Sequence, residues 1–219
     1  PFTVDTTAPT ISSVTAGWGT SLNATEDNSA GTVTVVTSGA ENGQTVTVAL
    51  NGTNYTGTVS DNSTSVTVAA AGLQALTDGS SYTLTTNVSD AAGNAATENT
   101  GTSFTYDITA PTANFTAATD NVGTVTGALT SGNTTDDTAL VLSGTNESGS
   151  SVKVFNGSTE LGSATVSGTS WSYSATVANG TTYQFNVKET DLAGNTSDAT
   201  SNFAVTGDTT APTANFTAA

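Results

Sequence analysis

The chain has 219 residues, enough for two ordinary domains, and carries 18 acidic residues against 2 basic ones. Neutralising phosphates requires clustered lysine and arginine, so this balance excludes nucleic acid as a partner. Cysteine, methionine and histidine are absent, which removes disulfides, Cys/His zinc sites and histidine-based catalytic relays. The metal ligands that remain are hard oxygens, which suit calcium or magnesium.

No apolar run approaches the ~20 residues that a membrane helix requires, so no membrane insertion is expected. The first residues have neither the basic region nor the apolar stretch of a signal peptide. We therefore expect the sequence to be a segment of a longer chain.

Two motifs recur along the chain. Asp5-Thr-Thr-Ala-Pro-Thr10 returns almost unchanged from Asp107 and from Asp208, and Asp90-Ala-Ala-Gly-Asn94 returns as Asp191-Leu-Ala-Gly-Asn195. Their shared period of about a hundred residues is the size of an immunoglobulin-like (Ig-like) sandwich. The predicted organisation is the end of a preceding domain at 1–4, a first domain at 5–106, a second at 107–207, and a linker with the first strand of a following repeat at 208–219.

Within each repeat, short runs such as Thr45–Val48 and Tyr183–Val187 alternate apolar residues with Thr, Ser, Gln or Asn, the pattern of half-buried strands. Asn-Gly and Asp-Gly pairs separate the runs and favour turns. We predict an all-β chain of two tandem seven-stranded antiparallel Ig-like sandwiches. Strands A to G are expected at 8–16, 31–37, 44–50, 54–59, 64–69, 80–89 and 95–106, and then at 110–117, 138–143, 151–155, 159–166, 169–177, 181–190 and 197–206.

Tyr82 and Tyr183 each stand near the start of a predicted strand F. Ig-type sandwiches often carry a tyrosine there whose hydroxyl braces the corner before the strand. The two tyrosines therefore support the sandwich prediction.

Acidic residues fall in loops that such a fold gathers at its poles. The B–C, D–E and F–G loops share a pole with the start of strand A, and close carboxylates repel by roughly a kcal/mol per pair unless a cation lies among them. Calcium accepts six to eight oxygens from carboxylates, amides, carbonyls and water. The candidate ligands are Asp5, Glu41, Asp90 and Asn94 in the first repeat; Asp107, Glu147, Asp191 and Asn195 in the second; Glu26, Asp27 and Asp78 at the opposite pole of the first; and Asp208 in the third motif copy.

The simpler alternative for each of these residues is an ordinary turn, since Asp and Asn readily form Asx-turns. The metal hypothesis instead places one calcium on Asp107, Glu147 and Asp191, with a further ligand from Glu26, Asp27 or Asp78. Such an ion would fix the angle between the two domains.

The sequence resembles the bacterial Ig-like repeats of giant RTX-type and biofilm-associated adhesins. The resemblance rests on Asp107-Ile-Thr-Ala-Pro111, Asp191-Leu-Ala-Gly-Asn195 and Leu142-Ser-Gly-Thr-Asn-Glu-Ser-Gly149. It implies a monomeric extender on the bacterial cell surface, exported by type I secretion, whose partners are neighbouring repeats of the same chain. Calcium at the linkers would then stiffen a stalk used for adhesion or biofilm formation.

The sequence also bears on three other functions. An enzyme is disfavoured because the acids recur with the period of the fold, unlike a single active site. A module that binds a glycan or a host protein would display exposed aromatics, and Trp18 is the candidate, whereas Trp171 is expected in the core. A filament subunit would pair the strand of residues 208–219 with another chain.

Overall fold

The computed structural model describes residues 4–215 and divides into two compact units, residues 1–109 and 110–219. Asp107 to Thr109 belong to the first unit. The segments predicted at 1–4 and 208–219 lie partly outside the described residues, and 208–215 carry no strand. Each unit is a sandwich of mostly antiparallel strands, which confirms the predicted fold class.

Over its described residues, 4–109, the first unit contains ten short strands, one turn of 3-10 helix at Glu26–Asn28 and one of α-helix, α1, at Ala70–Leu73. One layer is the sheet β1-β3-β6, and the other combines the sheets β5-β4-β8-β9 and β2-β10-β7. The strands are β1 Thr10–Ala16, β2 Ser21–Leu22, β3 Gly31–Ser38, β4 Thr45–Leu50, β5 Thr53–Thr58, β6 Ser63–Val68, β7 Ser80–Tyr82, β8 Thr85–Val88, β9 Asn99–Thr100 and β10 Phe104–Tyr106.

The second unit has the same layers, with sheets in the order β12-β11-β14-β18-β17 and β13-β20-β19-β15-β16. Its strands are β11 Asn114–Asp120, β12 Gly127–Ala128, β13 Asn133–Thr135, β14 Ala139–Thr145, β15 Ser151–Asn156, β16 Thr159–Ser163, β17 Thr165–Ser167, β18 Ser170–Thr176, β19 Thr182–Thr190 and β20 Phe203–Gly207. None of the helices within residues 4–215 is long and apolar enough to cross a membrane.

Within residues 4–215 each repeat has ten strands where seven were predicted, and the strands predicted at 80–89 and 95–106 are each divided in two. The first strand of each repeat continues into the other layer, where β2 pairs parallel with β10 and β13 pairs parallel with β20. The single strand predicted at 159–166 is two strands, because β16 pairs with β15 whereas β17 pairs with β18 in the opposite sheet. Gly162, with a φ of +150°, precedes this crossing and provides a backbone conformation that other residues rarely adopt.

Alternation along the strands builds a separate core in each unit. In β3, for example, Val33, Val35 and Thr37 are buried while the alternate positions Thr32, Thr34, Val36 and Ser38 are exposed. Both predicted corner tyrosines are confirmed, because the backbone N–H of Thr77 donates to Tyr82 Oη at 2.8 Å and that of Ala178 to Tyr183 Oη at 3.1 Å. The same corner therefore forms in both repeats.

Candidate functional site

The repeated linker motif forms the same turn in all three copies. The backbone N–H two residues after the aspartate donates to its Oδ1, at 2.9 Å for Asp5, 3.1 Å for Asp107 and 3.0 Å for Asp208. This is the Asx-turn that short polar side chains commonly make. An ordinary Asx-turn therefore accounts for one oxygen of each of these carboxylates.

The first residues of each linker are also bonded to the E–F loop of the repeat that they follow. Asp78 accepts from the Ile108 N–H at 2.9 Å and from the Thr109 hydroxyl at 2.5 Å. The Thr109 hydroxyl, followed by the Ile108 N–H, holds the pKa of Asp78 below its ordinary value. The structure thus assigns Asp78, a predicted metal ligand, to anchoring the chain that leaves the first repeat.

The second repeat makes the same anchor with a neutral residue. Asn179 Oδ1 accepts from the Thr209 N–H at 2.8 Å, and its amide donates to Thr210 Oγ1 at 3.1 Å. An anchor that survives the change from Asp to Asn depends on hydrogen-bond geometry and not on charge.

The F–G loop of each repeat is closed by its own Asp and Asn. Asp90 Oδ1 accepts the Asn94 N–H and Asp90 Oδ2 the Asn94 side-chain amide, both at 2.8 Å. The Asn94 amide lowers the pKa of Asp90. Asp191 and Asn195 repeat the pair at 2.9 and 3.0 Å, so these four predicted residues form two equivalent rigid turns.

At the same pole of the first repeat, the four predicted residues are brought together. Glu41 Oε2 accepts the Ala91 N–H of the F–G loop at 2.9 Å, and the Asn94 amide donates to the backbone carbonyl of Asp5 at 3.3 Å. The B–C loop, the F–G loop and the incoming linker are therefore joined into one cluster of oxygens.

In the second repeat the B–C and F–G loops also pack closely, since a Cβ added to Gly149 would lie 2.9 Å from Leu192 Cδ1. This contact places the loops of Glu147 and Asp191 side by side. Asp107, which the prediction groups with these two residues, belongs to the first unit.

The A–B loop of the first repeat uses its acids differently from the prediction. Asp27 is buried and accepts the hydroxyl of Tyr106 at 2.7 Å. Burial, and then Asp27 itself, raises the pKa of Tyr106 to about 12. Glu26 Oε2 accepts the backbone N–H of Asn23 at 3.1 Å, so both acids stabilise the local fold.

Within residues 4–215 no three carboxylates lie together closely enough to hold a metal ion by themselves. The donor chemistry nevertheless fits calcium, because the cluster around Glu41, Asp90 and Asp5 offers carboxylate and backbone carbonyl oxygens. A complete shell would require further carbonyl, amide or water oxygens, all of which calcium accepts.

Several buried acids of the second repeat escaped the sequence prediction. Asp120 Oδ2 accepts the Thr135 hydroxyl at 2.7 Å, and Asp137 accepts the N–H groups of Ala139 and Asn121. A cavity of about 260 Å³ beside them is lined in part by Asp120, Asp136 and Asp208. The first repeat has no matching set, so the repeat comparison that identified the other acids carried no signal here.

Glu189 is also fully buried, and alternation in its strand could have revealed it. Phe185 and Val187 are inward residues of β19, and Glu189 is the next inward position. A carboxylate on the apolar face of a strand is unusual and indicates a specific role.

The aromatic candidate for ligand binding is corrected by the structure. Trp18 is only 8% exposed, and its ring packs edge-on against Phe104 with centroids 5.3 Å apart. Trp171, expected in the core, is buried and donates from Nε1 to the Asn114 carbonyl at 3.0 Å. Trp18 belongs to the apolar core of the first repeat, and the ligand-binding hypothesis loses its candidate residue.

Comparison with known proteins finds a family model that matches the second repeat and several solved structures that resemble the chain. Residues 108–209 match the family model described as a bacterial Ig-like domain. A solved structure of a 1.5-MDa bacterial ice-binding adhesin, from work on its retention at the host cell surface, is 25% identical with a TM-score of 0.52. That match covers 91% of this chain and 64% of the other, so this chain spans less than two thirds of that structure.

Two further structures are similar. The fibronectin(III)-like modules of Clostridium thermocellum CbhA are 16% identical with a TM-score of 0.54, covering 89% of this chain and 94% of that one, and they support the fold alone. A Ca2+-stabilized adhesin with which an Antarctic bacterium binds ice is 26% identical with a TM-score of 0.49, covering 93% and 50%. No curated protein matches the chain.

Proposed function

Since residues 108–209 match the family model of a bacterial Ig-like domain, we propose that the chain is a structural extender segment of a bacterial cell-surface adhesin. The observation that carries the proposal is the repeated anchor: Asp78 holds the linker after the first repeat and Asn179 the linker after the second. A linker bonded to its domain has fewer conformations than a free one. Pro111 restricts the first linker further by fixing φ.

Two other observations support this function. The likeness to the ice-binding adhesin extends over most of the chain, and the acids of the linkers and F–G loops recur with the period of the fold. Recurring acids are expected of structural positions, which favours a non-enzymatic role. In this proposal the segment works outside the cell as a monomer whose partners are neighbouring repeats of the same chain, in adhesion or biofilm formation.

We include calcium in the proposal because of the donors in the acidic loops. In the first repeat the ligands are Asp5, Glu41, Asp90 and Asn94, which already share one hydrogen-bonded cluster. In the second repeat they are Glu147, Asp191 and Asn195. Bound calcium would restrict these loops and the linker beside them, and so stiffen the stalk.

X-ray scattering of the whole chain with calcium and with chelator tests the proposal. We expect a larger maximum dimension and a narrower distance distribution in calcium, and Asp191→Ala should resemble wild type in chelator under both conditions. Asp198→Ala is the matched control, because it removes the same charge from an exposed position outside the ligand set. Identical wild-type profiles with and without calcium would contradict the calcium part of the proposal.

The anchor has its own test. Asp78→Asn introduces the residue that the second repeat uses at Asn179, so it should leave the scattering profile unchanged in chelator. Asp78→Ala removes both acceptors and should broaden the distance distribution. Equal profiles for the two variants would show that the anchor does not stiffen the linker.

A further inference from the structure

The B–C loop of the second repeat is held by a buried carboxylate. Glu189 is fully buried near the end of β19. Its Oε1 accepts the backbone N–H of Glu147 and the hydroxyl of Ser150, both at 2.6 Å. Both donors belong to the loop that carries the proposed ligand Glu147, so Glu189 ties this loop to strand F.

The first repeat has no such group. In the second repeat Val152 of β15 pairs with Glu189 of β19, and at the equivalent position of the first repeat Val46 of β4 pairs with Val88 of β8. Glu189 therefore corresponds to Val88, a buried core residue. Counting back from the paired valines, Asn146 and Ser150 correspond to Ala40 and Gln44.

The two loops are consequently held in different ways. In the first repeat the Glu41 side chain itself accepts the Ala91 N–H at 2.9 Å. In the second, Glu189 holds the loop backbone, and no donor within residues 4–215 bonds to the Glu147 carboxylate. In the first repeat the proposed ligand Glu41 itself holds its loop in place, whereas in the second repeat the carboxylate of Glu147 is available to a cation.

Fold stability does not account for Glu189. Its Oε2 and the Oδ1 of Asn146 are buried without a hydrogen-bond partner among the described residues. Burying a carboxylate oxygen in this way is destabilising, whereas an apolar residue such as Val88 fills the matching place without that cost. The polar group therefore points to a role beyond packing.

We propose that Glu189 is a positioning residue that presents Glu147 to a bound cation. The inference rests on the proposed calcium function and deepens it, because it makes the two repeats unequal as binding sites. Groups that orient a metal ligand typically change metal affinity by about 10- to 100-fold when removed. Glu189 would act through the loop backbone and would not touch the ion.

Two variants of the whole chain separate positioning from packing. Glu189→Gln keeps the accepting oxygen at Oε1, whereas Glu189→Val introduces the residue of the first repeat. Calcium titration by calorimetry should give Glu189→Gln an affinity close to wild type and Glu189→Val an affinity lower by about tenfold. In chelator, hydrogen exchange should show the Glu147 amide protected in wild type and in Glu189→Gln but exposed in Glu189→Val.

Three outcomes would count against the inference. Equal calcium affinity in wild type and Glu189→Val would overturn it alone, because Glu189 would then serve packing only. Absence of calcium binding by wild type would overturn the proposed calcium function and the inference with it. If Glu189→Val does not fold, Ser150→Ala replaces it as the variant that removes one of the two bonds, and an unchanged affinity there would equally overturn the inference.

Discussion

Replacing Tyr106 with phenylalanine tests how the first repeat uses Asp27. The Tyr106 hydroxyl donates to Asp27 Oδ2 at 2.7 Å, and the two residues are 2% and 6% exposed. A buried hydrogen bond to a charged acceptor contributes about 1.5–3 kcal/mol. Tyr106→Phe should therefore lower the free energy of unfolding of the first repeat by about that amount, or its Tm by roughly 6–12 °C for a domain of this size.

The assay is calorimetric unfolding of the whole chain, in chelator and in calcium. Only the transition of the first repeat should move, and it should move equally under both conditions. Tyr173→Phe is the control, because its hydroxyl donates to the Leu161 carbonyl at an exposed site and its loss should cost less than about 0.5 kcal/mol. In a double-mutant cycle with Asp27→Ala, which removes the acceptor, most of the Tyr106 effect should disappear.

The cycle also distinguishes a core brace from a metal ligand. If Asp27 were chiefly a calcium ligand, the Tyr106→Phe effect would change with calcium. A loss below about 0.5 kcal/mol in chelator would refute the reasoning, because the buried bond would then contribute no more than a surface contact.

The pKa of Tyr106 is raised to about 12, above the ~10 of an unfolded tyrosine. Its contribution to stability is therefore complete below pH ~10 and is lost as the pH rises towards 12. Denaturant unfolding across this range should show the decline in the free energy of unfolding, and Tyr106→Phe should flatten it. Gly144→Ala should destabilise the second repeat but not the first, as seen by calorimetry, because the added Cβ would lie 2.6 Å from Trp171 Nε1 and still closer to the Asn114 carbonyl. Calcium at a hundredfold excess over its dissociation constant should stabilise the chain by about 2.7 kcal/mol. Magnesium should stabilise it much less, since magnesium retains its water and requires a strict octahedron. Equal Tm values with calcium and with chelator would contradict metal binding.

Period-2 alternation predicted the strands closely because inward and outward residues must alternate wherever one face of a sheet is buried. The strand predicted at 31–37 is β3 at Gly31–Ser38, and the one at 181–190 is β19 at Thr182–Thr190. The corner tyrosines and the Asp–Asn pairs of the F–G loops were equally predictable. Their bonds join residues four or five positions apart, so the local chain determines them.

Loop side chains were less predictable because sequence does not show which way they turn. Glu41 was expected near Asp90, and the structure joins the two loops. Asp27 was predicted to lie in a loop at a pole of the repeat as a candidate ligand, and the structure buries it against the hydroxyl of Tyr106, which is far along the chain. Trp18 likewise enters the core against Phe104.

The two repeats, their all-β class and the recurring acidic loops could all be predicted from the sequence, because each follows from short-range pattern or from repetition. Which hydrogen-bond donors each acid accepts from is evident only from the folded structure. Asp78 anchors the linker that follows the first repeat, and Glu189 is a buried residue that holds the B–C loop where the first repeat has Val88. The physical reason is that a carboxylate's role depends on which donors reach it, and those donors come from strands and loops distant in sequence.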